Sequence, residues 1–396
     1  MLFLSRSGLK AGPFSVWMEK TYRPLTRRMN TDKLRAEGKK YIAPEEENMK
    51  ALFIGGTGTI SMAIVRKLAE DPQWEVWLLN RGKRKSEMPD GIHQITADIH
   101  DEAAAAKALE GLQFDTVCEF IAFHPDDAER DIRLFRGKTK QYIIISSASA
   151  YHKPAADYLI TEGTTLANPH WEYSRNKIAI EEVLMKAYRE EGFPVTVVRP
   201  SHTYDERNVP LGVHGNKGSW QVIKRMREGK PVIIQGDGSS LWTMTFNTDF
   251  ATGFIGLMAN PHAIGEAFQI TGDETLTWDQ IYRTIADALG VELKAYHIAS
   301  DFLAEAGKSF GYDFEGSLLG DKAVSVVFDN RKLKRAVPDM VTKVPFARGV
   351  RITLEYVLSH PECQTEDPEF DAWCDRVIEA QEKAKKFVVE FSGEKC

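Results

Sequence analysis

The chain has 396 residues, 43% of them hydrophobic and 27% charged, which is enough apolar material for a large core or for two domains. With 51 basic against 57 acidic residues the formal net charge is −6, so no general attraction to nucleic acid or to an anionic membrane is expected. Its four cysteines, Cys118, Cys363, Cys374 and Cys396, lack metal-ligand spacing and fit a reducing compartment, and no apolar run reaches the roughly 18 residues that span a bilayer.

Residues 1–48 read as a non-catalytic extension. The first thirty hold Arg6, Lys10, Lys20, Arg23, Arg27 and Arg28 against one acid, Glu19, a composition found in organellar transit peptides. Without that role the chain is expected in the cytoplasm, and Met49-Lys50, directly before the first strand, would make a natural start.

From Met49 to Pro200 strands and helices alternate. The apolar run Ala51–Ile54 meets Gly55-Gly56-Thr57-Gly58, and Ile60, Ile64, Val65 and Leu68 then share one helix face. Gly55 can take a backbone shape closed to other residues, and Gly58 puts no side chain in the way of a phosphate. The helix start behind them offers free N–H groups and a positive dipole end. Gly55, Thr57, Gly58, Thr59 and Ile60 are therefore the expected phosphate cradle. Ser61 stands where a third glycine would complete the pattern.

A second strand, Glu75–Leu79, ends in Asn80-Arg81-Gly82-Lys83-Arg84. An acid at this place would bond the adenosine ribose, and an arginine would accommodate a 2′-phosphate. Asn80 and Arg81 thus favour NADP over NAD. A third strand, Ile92–Ala97, leads to Asp98-Ile99, with Asp98 placed for the adenine edge. The helix Asp101–Leu109, the strand Phe114–Phe120 and the helix Pro125–Phe135 follow, with Ala122 against the cofactor. A fifth strand, Gln141–Ile145, runs into Ser146-Ser147-Ala148-Ser149-Ala150-Tyr151. The long helix Tyr173–Glu191 and the strand Val195–Val198 close this half. Such alternation implies a parallel sheet sandwiched by helices, with ligands at the carboxyl ends of the strands.

The helix Tyr173–Glu191 carries Tyr173 and Lys177 four residues apart, on one face. A phenol is a poor base at neutral pH, and an adjacent ammonium would favour the phenolate. The pair can then exchange a proton with a substrate hydroxyl while hydride moves to or from a nicotinamide. Ser147, at a strand end, can hold the same oxygen.

Residues 201–358 alternate less regularly and read as mixed segments that complete the sheet and form a substrate lobe. Expected here are helices over 219–228, 247–258, 301–308 and 346–358 and strands over 232–234, 267–270 and 292–297. Asn247 reads as a helix cap, and Thr277 with Gln280 as a capping box. The tail, 359–396, carries an amphipathic helix over 370–387.

Together these segments resemble the extended short-chain dehydrogenases/reductases, the NAD-dependent epimerase/dehydratase family. The stretches that carry the resemblance are GGTGTIS at 55–61, SSASAY at 146–151, YSRNK at 173–177, RPSHTY at 199–204 and GDGSSLWTMTFNTDFA at 236–251. The chain looks nearest to the branch that contains chloroplast stem-loop-binding proteins. The resemblance implies a Rossmann-type, doubly wound parallel α/β sheet with a smaller C-terminal α+β substrate-binding lobe. It implies catalytic roles for Ser147, Tyr173 and Lys177, ribose binding by Lys177, and a homodimer through a four-helix bundle. Departures from the family pattern narrow the chemistry. Ala148-Ser149 replaces the Asp-Glu of the sugar-nucleotide 4,6-dehydratases, so elimination of water is disfavoured. Trp242 stands where many members bind the substrate diphosphate with an arginine, and Asp205 replaces a glycine after Tyr204. Ser149, His202, Tyr204 and Trp242 are the candidate substrate contacts.

The expected function is an NAD(P)-dependent oxidoreductase or epimerase acting on a sugar or sugar-nucleotide hydroxyl, without a metal. The alternative is a cofactor-binding regulatory or RNA-associated protein without turnover.

Overall fold

A computed structural model describes residues 48–82 and 88–393, with side chains to residue 390. The N-terminal extension, Lys83, Arg84 and Cys396 lie outside the described residues. The first strand, β1 (Met49–Ile54), passes through the glycine turn into α1 (Ser61–Ala69). Then come β2 (Trp74–Asn80), β3 (His93–Thr96), α2 (Glu102–Ala108), β4 (Phe114–Glu119) and α3 (Pro125–Phe135). The strand β5 (Thr139–Ile145), the twenty-residue α4 (Glu172–Glu191) and β6 (Val195–Pro200) follow. Farther on, α5 (Asn247–Leu257) precedes β7 (Ala267–Ile270).

These strands form one seven-stranded sheet in the order β7-β6-β5-β4-β1-β2-β3, and every neighbouring pair is parallel. The chain order reverses between β1 and β4, which opens a crevice at the carboxyl ends of those two strands. Period-two alternation divides the sheet's side chains between two cores. Ala51, Phe53, Ile143 and Ile145 pack on one face, with Phe250 and Phe254 of α5. Leu52, Ile54, Tyr142 and Ile144 pack on the other, with Ile180 and Leu184 of α4. Each such fully buried side chain contributes about 1.5–3 kcal/mol of apolar transfer, so both faces hold the sheet rigidly.

A third core lies in the C-terminal half. It joins Trp242 and Trp278 to Phe346 and Val350 of a helix at Phe346–Ser359 and to Trp373 of the closing helix, Pro368–Gly393. The closing helix is anchored by the buried Arg225, which bonds Asp371 Oδ1 and Asp375 Oδ1, each at 2.7 Å. The capping box before the helix Trp278–Leu289 forms in both directions, between Thr277 Oγ1 and the Gln280 N–H and between Gln280 Oε1 and the Thr277 N–H.

Three local features differ from the sequence reading. Asn247 is the first helical residue rather than the cap, and its side chain reaches across to the Thr59 carbonyl at 3.4 Å. The expected strand over 292–297 lies at Ala295–Ile298. Residues Glu315–Lys322 form a π-helix that no periodicity announced. Its two glycines decide its seat, since a Cβ on Gly316 would stand 2.1 Å from Trp171 Cδ1 and one on Gly320 3.1 Å from Trp171 Cβ. No described helix is long and apolar enough to cross a membrane.

Candidate active site

The glycine turn shows why each small residue is there. Gly55 has φ +79°, a region costly for side-chain-bearing residues, and a Cβ there would lie 2.5 Å from Ile121 Cγ2. A Cβ on Gly58 would meet no protein atom nearer than 3.5 Å, so the space beside it is open to a ligand. Ser61 ties the loop together. Its hydroxyl donates to the Gly55 carbonyl and accepts from the Gly58 N–H, each at 2.9 Å.

This turn heads a cleft of about 570 Å³ along the carboxyl ends of the strands. Gly55, Thr57, Gly58, Thr59, Ile60, Asn80, Arg81, Asp98 and Ile99, all expected at the cofactor, line it together. Asn80 Oδ1 accepts the Gly82 N–H at 2.8 Å, and Asp98 Oδ1 accepts the His100 N–H at 3.1 Å. Arg81 and Asp98 face each other at 3.9 Å across exposed side chains, a loose pair. Ala122 is fully buried, and its neighbours Ile121 and Phe123 line the cleft. The volume, the open space at Gly58 and the helix start fit a dinucleotide.

Ser147, Tyr173 and Lys177 come together at the ends of β5 and α4. The Ser147 hydroxyl stands close enough to the Tyr173 phenol to favour its phenolate. Behind it, the Ser147 and Ser149 hydroxyls stand 2.8 Å apart, and Ser174 Oγ donates to Ser149 Oγ at 2.7 Å. Ser149 is therefore bonded within this hydroxyl chain. Lys177 Nζ donates to the carbonyls of Ala122 and Ile145 at 2.7 and 2.9 Å and lies 5.7 Å from the centroid of the Tyr173 ring.

One electrostatic expectation needs correction. Lys177 was expected to lower the phenol's pKa. Instead burial raises Tyr173 above its usual value, Ser147 pulls it down and Asp321 pushes it up. The lysine itself is lowered to about 8 by burial, against the pull of Glu119, Asp127 and Glu181. Its amine is spent on two carbonyls and offers the phenol little.

Of the candidate substrate contacts, Trp242 is buried, stacks on Trp278 at 5.8 Å and donates its indole N–H to His202 Nδ1 at 3.1 Å. That bond leaves the proton of a neutral His202 on Nε2. Burial, with Lys322 and His214 adding to it, holds this imidazole well below its usual range. Tyr204 is buried and packs among aromatic rings, and its hydroxyl has no hydrogen-bond partner among the described residues. Its ring lies edge-on to Phe246 and Phe346, and a Cβ on Gly349 would stand 2.1 Å from its hydroxyl.

Several side chains at the site were not singled out from sequence. Glu119, at the end of β4, is fully buried; its Oε1 accepts the Ile121 N–H, and its Oε2 has no hydrogen-bond partner among the described residues. An acid closing an apolar strand was the available signal. Phe123 covers the Lys177 amine at 4.9 Å. Lys153, Asp321 and Lys322 gather beyond Tyr173, and nothing local in their sequence marked them.

The sequence model of the NAD dependent epimerase/dehydratase family matches residues 51–271. The 2′-dehydrokanamycin reductase of Streptomyces kanamyceticus is 24% identical over 262 residues, 66% of this chain and 73% of that protein. The chloroplast stem-loop binding protein of 41 kDa b of Arabidopsis thaliana is 25% identical over 269 residues, 64% of this chain and 66% of that one. A crystal structure of UDP-glucuronic acid 4-epimerase from Bacillus cereus, in complex with UDP-glucuronic acid and NAD, superposes with a TM-score of 0.62. The superposition covers 78% of this chain and 99% of the other at 17% identity, a likeness of fold.

Proposed function

Since the chain belongs to the NAD-dependent epimerase/dehydratase family, we propose that it is an NAD(P)-dependent oxidoreductase or epimerase acting on a hydroxyl of a sugar or sugar-nucleotide. The observation that carries this reading is the gathering of Ser147, Tyr173 and Lys177 beside a cleft large enough for a dinucleotide.

The cofactor, when bound, supplies a nicotinamide that accepts or returns hydride. Gly55, Thr57, Gly58, Thr59 and Ile60 would hold its diphosphate, Asn80 and Arg81 the adenosine ribose, Asp98 and Ile99 the adenine, and Lys177 the nicotinamide ribose. The Tyr173 hydroxyl takes or gives the proton of the substrate alcohol, and Ser147 orients the same oxygen. Because burial works against the phenolate, Ser147 is the internal group that favours it. NADP is the preferred cofactor in this reading. No acid closes β2, and among the described residues Arg81 has only the loose Asp98 pair to give up for a 2′-phosphate. The absence of the Asp-Glu pair at Ala148-Ser149 argues against 4,6-dehydration. Assembly as a homodimer through α3 and α4 belongs to the same proposal.

Fluorescence titration should show NADPH binding more tightly than NADH, with Arg81→Ala removing the difference. A screen of nucleotide sugars, glycosides and free sugars, followed by the absorbance of reduced cofactor, should then find turnover. Cofactor binding without turnover on any of them would favour the regulatory alternative.

A further inference from the structure

Beyond the phenol, on the side away from the glycine turn, three charged groups lie deep in the protein. Lys153 has 2% of its side chain exposed, and Asp321 and Lys322 have 13% each. Lys153 Nζ is bound directly to Asp321 Oδ1, so one charge of each sign is settled. Lys322 has no such partner. Its nearest acceptors among the described residues are the Ser317 carbonyl at 3.4 Å and Asp321 Oδ2 at 4.0 Å. An ammonium normally makes charge-assisted bonds at about 2.7–2.9 Å.

The surroundings do not make up the deficit. The centroid of Trp171 is 6.0 Å from the amine, the edge of cation–π range. His202 and His214 are both held neutral by burial, with Lys322 itself working against their protonation. Asp313 also attracts the amine, but it is exposed and its Oδ1 accepts the Gly316 N–H. Burial lowers the pKa of Lys322 against the pull of Asp321 and Asp313, and an arriving anion would offset that cost of the charged form.

Position connects this cation to the chemistry. Trp171 lies 4.9 Å from the Tyr173 ring, and the Lys322 amine stands over the same indole at 6.0 Å. The amine and the phenol ring thus share one indole as a neighbour. We propose that Lys322 binds an anionic oxygen group, carboxylate or phosphate, carried by the same sugar-like substrate whose hydroxyl meets Tyr173. This rests on the functional reading above and makes the substrate class acidic sugars or sugar phosphates. The π-helix gives the site its shape. Gly316 and Gly320 bring the helix onto Trp171, which sets Lys322 over the indole.

The test uses the full chain saturated with NADPH at constant ionic strength. Intrinsic tryptophan fluorescence reports binding, because Trp171 lies beside the amine. D-glucuronate, D-glucose 6-phosphate and D-glucose are titrated into the wild type, Lys322→Met and Lys322→Arg. At least one acidic sugar should bind tenfold or more tightly than glucose. Lys322→Met should abolish that preference, and Lys322→Arg should retain most of it. The tighter of the two acids identifies the anionic group. Equal binding of all three sugars, no binding of either acid, or a preference that survives Lys322→Met would overturn the proposal. Melting temperature gives a second reading. Lys322→Met should melt no lower than the wild type, and a fall of more than about 5 °C would mean that the protein itself compensates the amine. Energy transfer from tryptophan to NADPH is read in the same samples. Its absence would remove the cofactor reading while the sugar titrations still judge the anion site.

Discussion

The two walls of the candidate site are made differently. The wall under the glycine turn is mostly backbone, and it makes room by leaving side chains out. Gly55 turns the chain, Gly58 keeps a space empty and Ser61 pins the loop. The opposite wall is mostly side chains, gathered from positions 147 to 322. The hydroxyls of Ser147, Ser149 and Ser174 are bonded in a chain, whereas Lys322 meets its nearest acceptor, the Ser317 carbonyl, only at 3.4 Å. A backbone wall can be specified by a handful of neighbouring residues. A side-chain wall needs distant segments to arrive together, and it can be altered one residue at a time.

Three substitutions probe that contrast. The largest effect is expected at Tyr173→Phe, which should lower turnover on any substrate found in the screen by about 10²–10⁴-fold. Cofactor affinity should change little, because the glycine wall is untouched. A comparable loss of NADPH binding in the same titration would show that the two walls are not separable.

The second effect is a stability difference with a defined pH window. The folded value of Lys177, about 8, lies below the ordinary 10.5. Below about 8 the amine is charged in both folded and unfolded chains, and the cost of burying it is at its full size. Above 10.5 it is neutral in both, and the cost is gone. The stability of the wild type relative to Lys177→Met should therefore rise between those values, by on the order of 3 kcal/mol. Urea unfolding of both proteins at pH 7, 9 and 10.5 measures it, and a flat difference would mean that the amine is not desolvated as the structure has it.

The smallest effects separate two glycines three residues apart. Gly55→Ala should destabilise the fold by about 2 kcal/mol, from its positive φ and the contact with Ile121. Gly58→Ala should leave stability within about 0.5 kcal/mol. It should nevertheless weaken NADPH binding about tenfold, since its Cβ would add bulk to the turn that lines the cleft. Calorimetric melting and cofactor titration on both variants check the pair. Equal behaviour would mean that the wall is structural throughout.

How far the sequence carried the reading follows the same division. The strand–helix alternation gave the parallel sheet, because strand β1, the turn and α1 are encoded within twenty-one contiguous residues. The glycine cradle and the strand-end residues Asn80, Arg81 and Asp98 were readable for that reason, and they meet in one cleft. Tyr173 and Lys177 were readable because a helix places residues four apart on one face. Glu119 was passed over although it ends an apolar strand, since burial of a carboxylate is known only once its neighbours are placed. The sign of the electrostatics at Tyr173 was misjudged for a related reason. Helical spacing brings the lysine near, but two backbone carbonyls from other segments hold its amine.

By itself, then, the sequence determined the layered α/β fold, the turn that opens the cleft and the trio of hydroxyl, phenol and amine, all set by local periodicity and by what glycine alone permits. Only the tertiary structure decided the balance of charge around that trio. Lys153 and Lys322 stand 169 positions apart, and the single carboxylate of Asp321 bonds the first directly and stands 4.0 Å from the second. Which amine is paired closely depends on distances between segments and on exclusion of water, and neither is written in any short stretch of the chain.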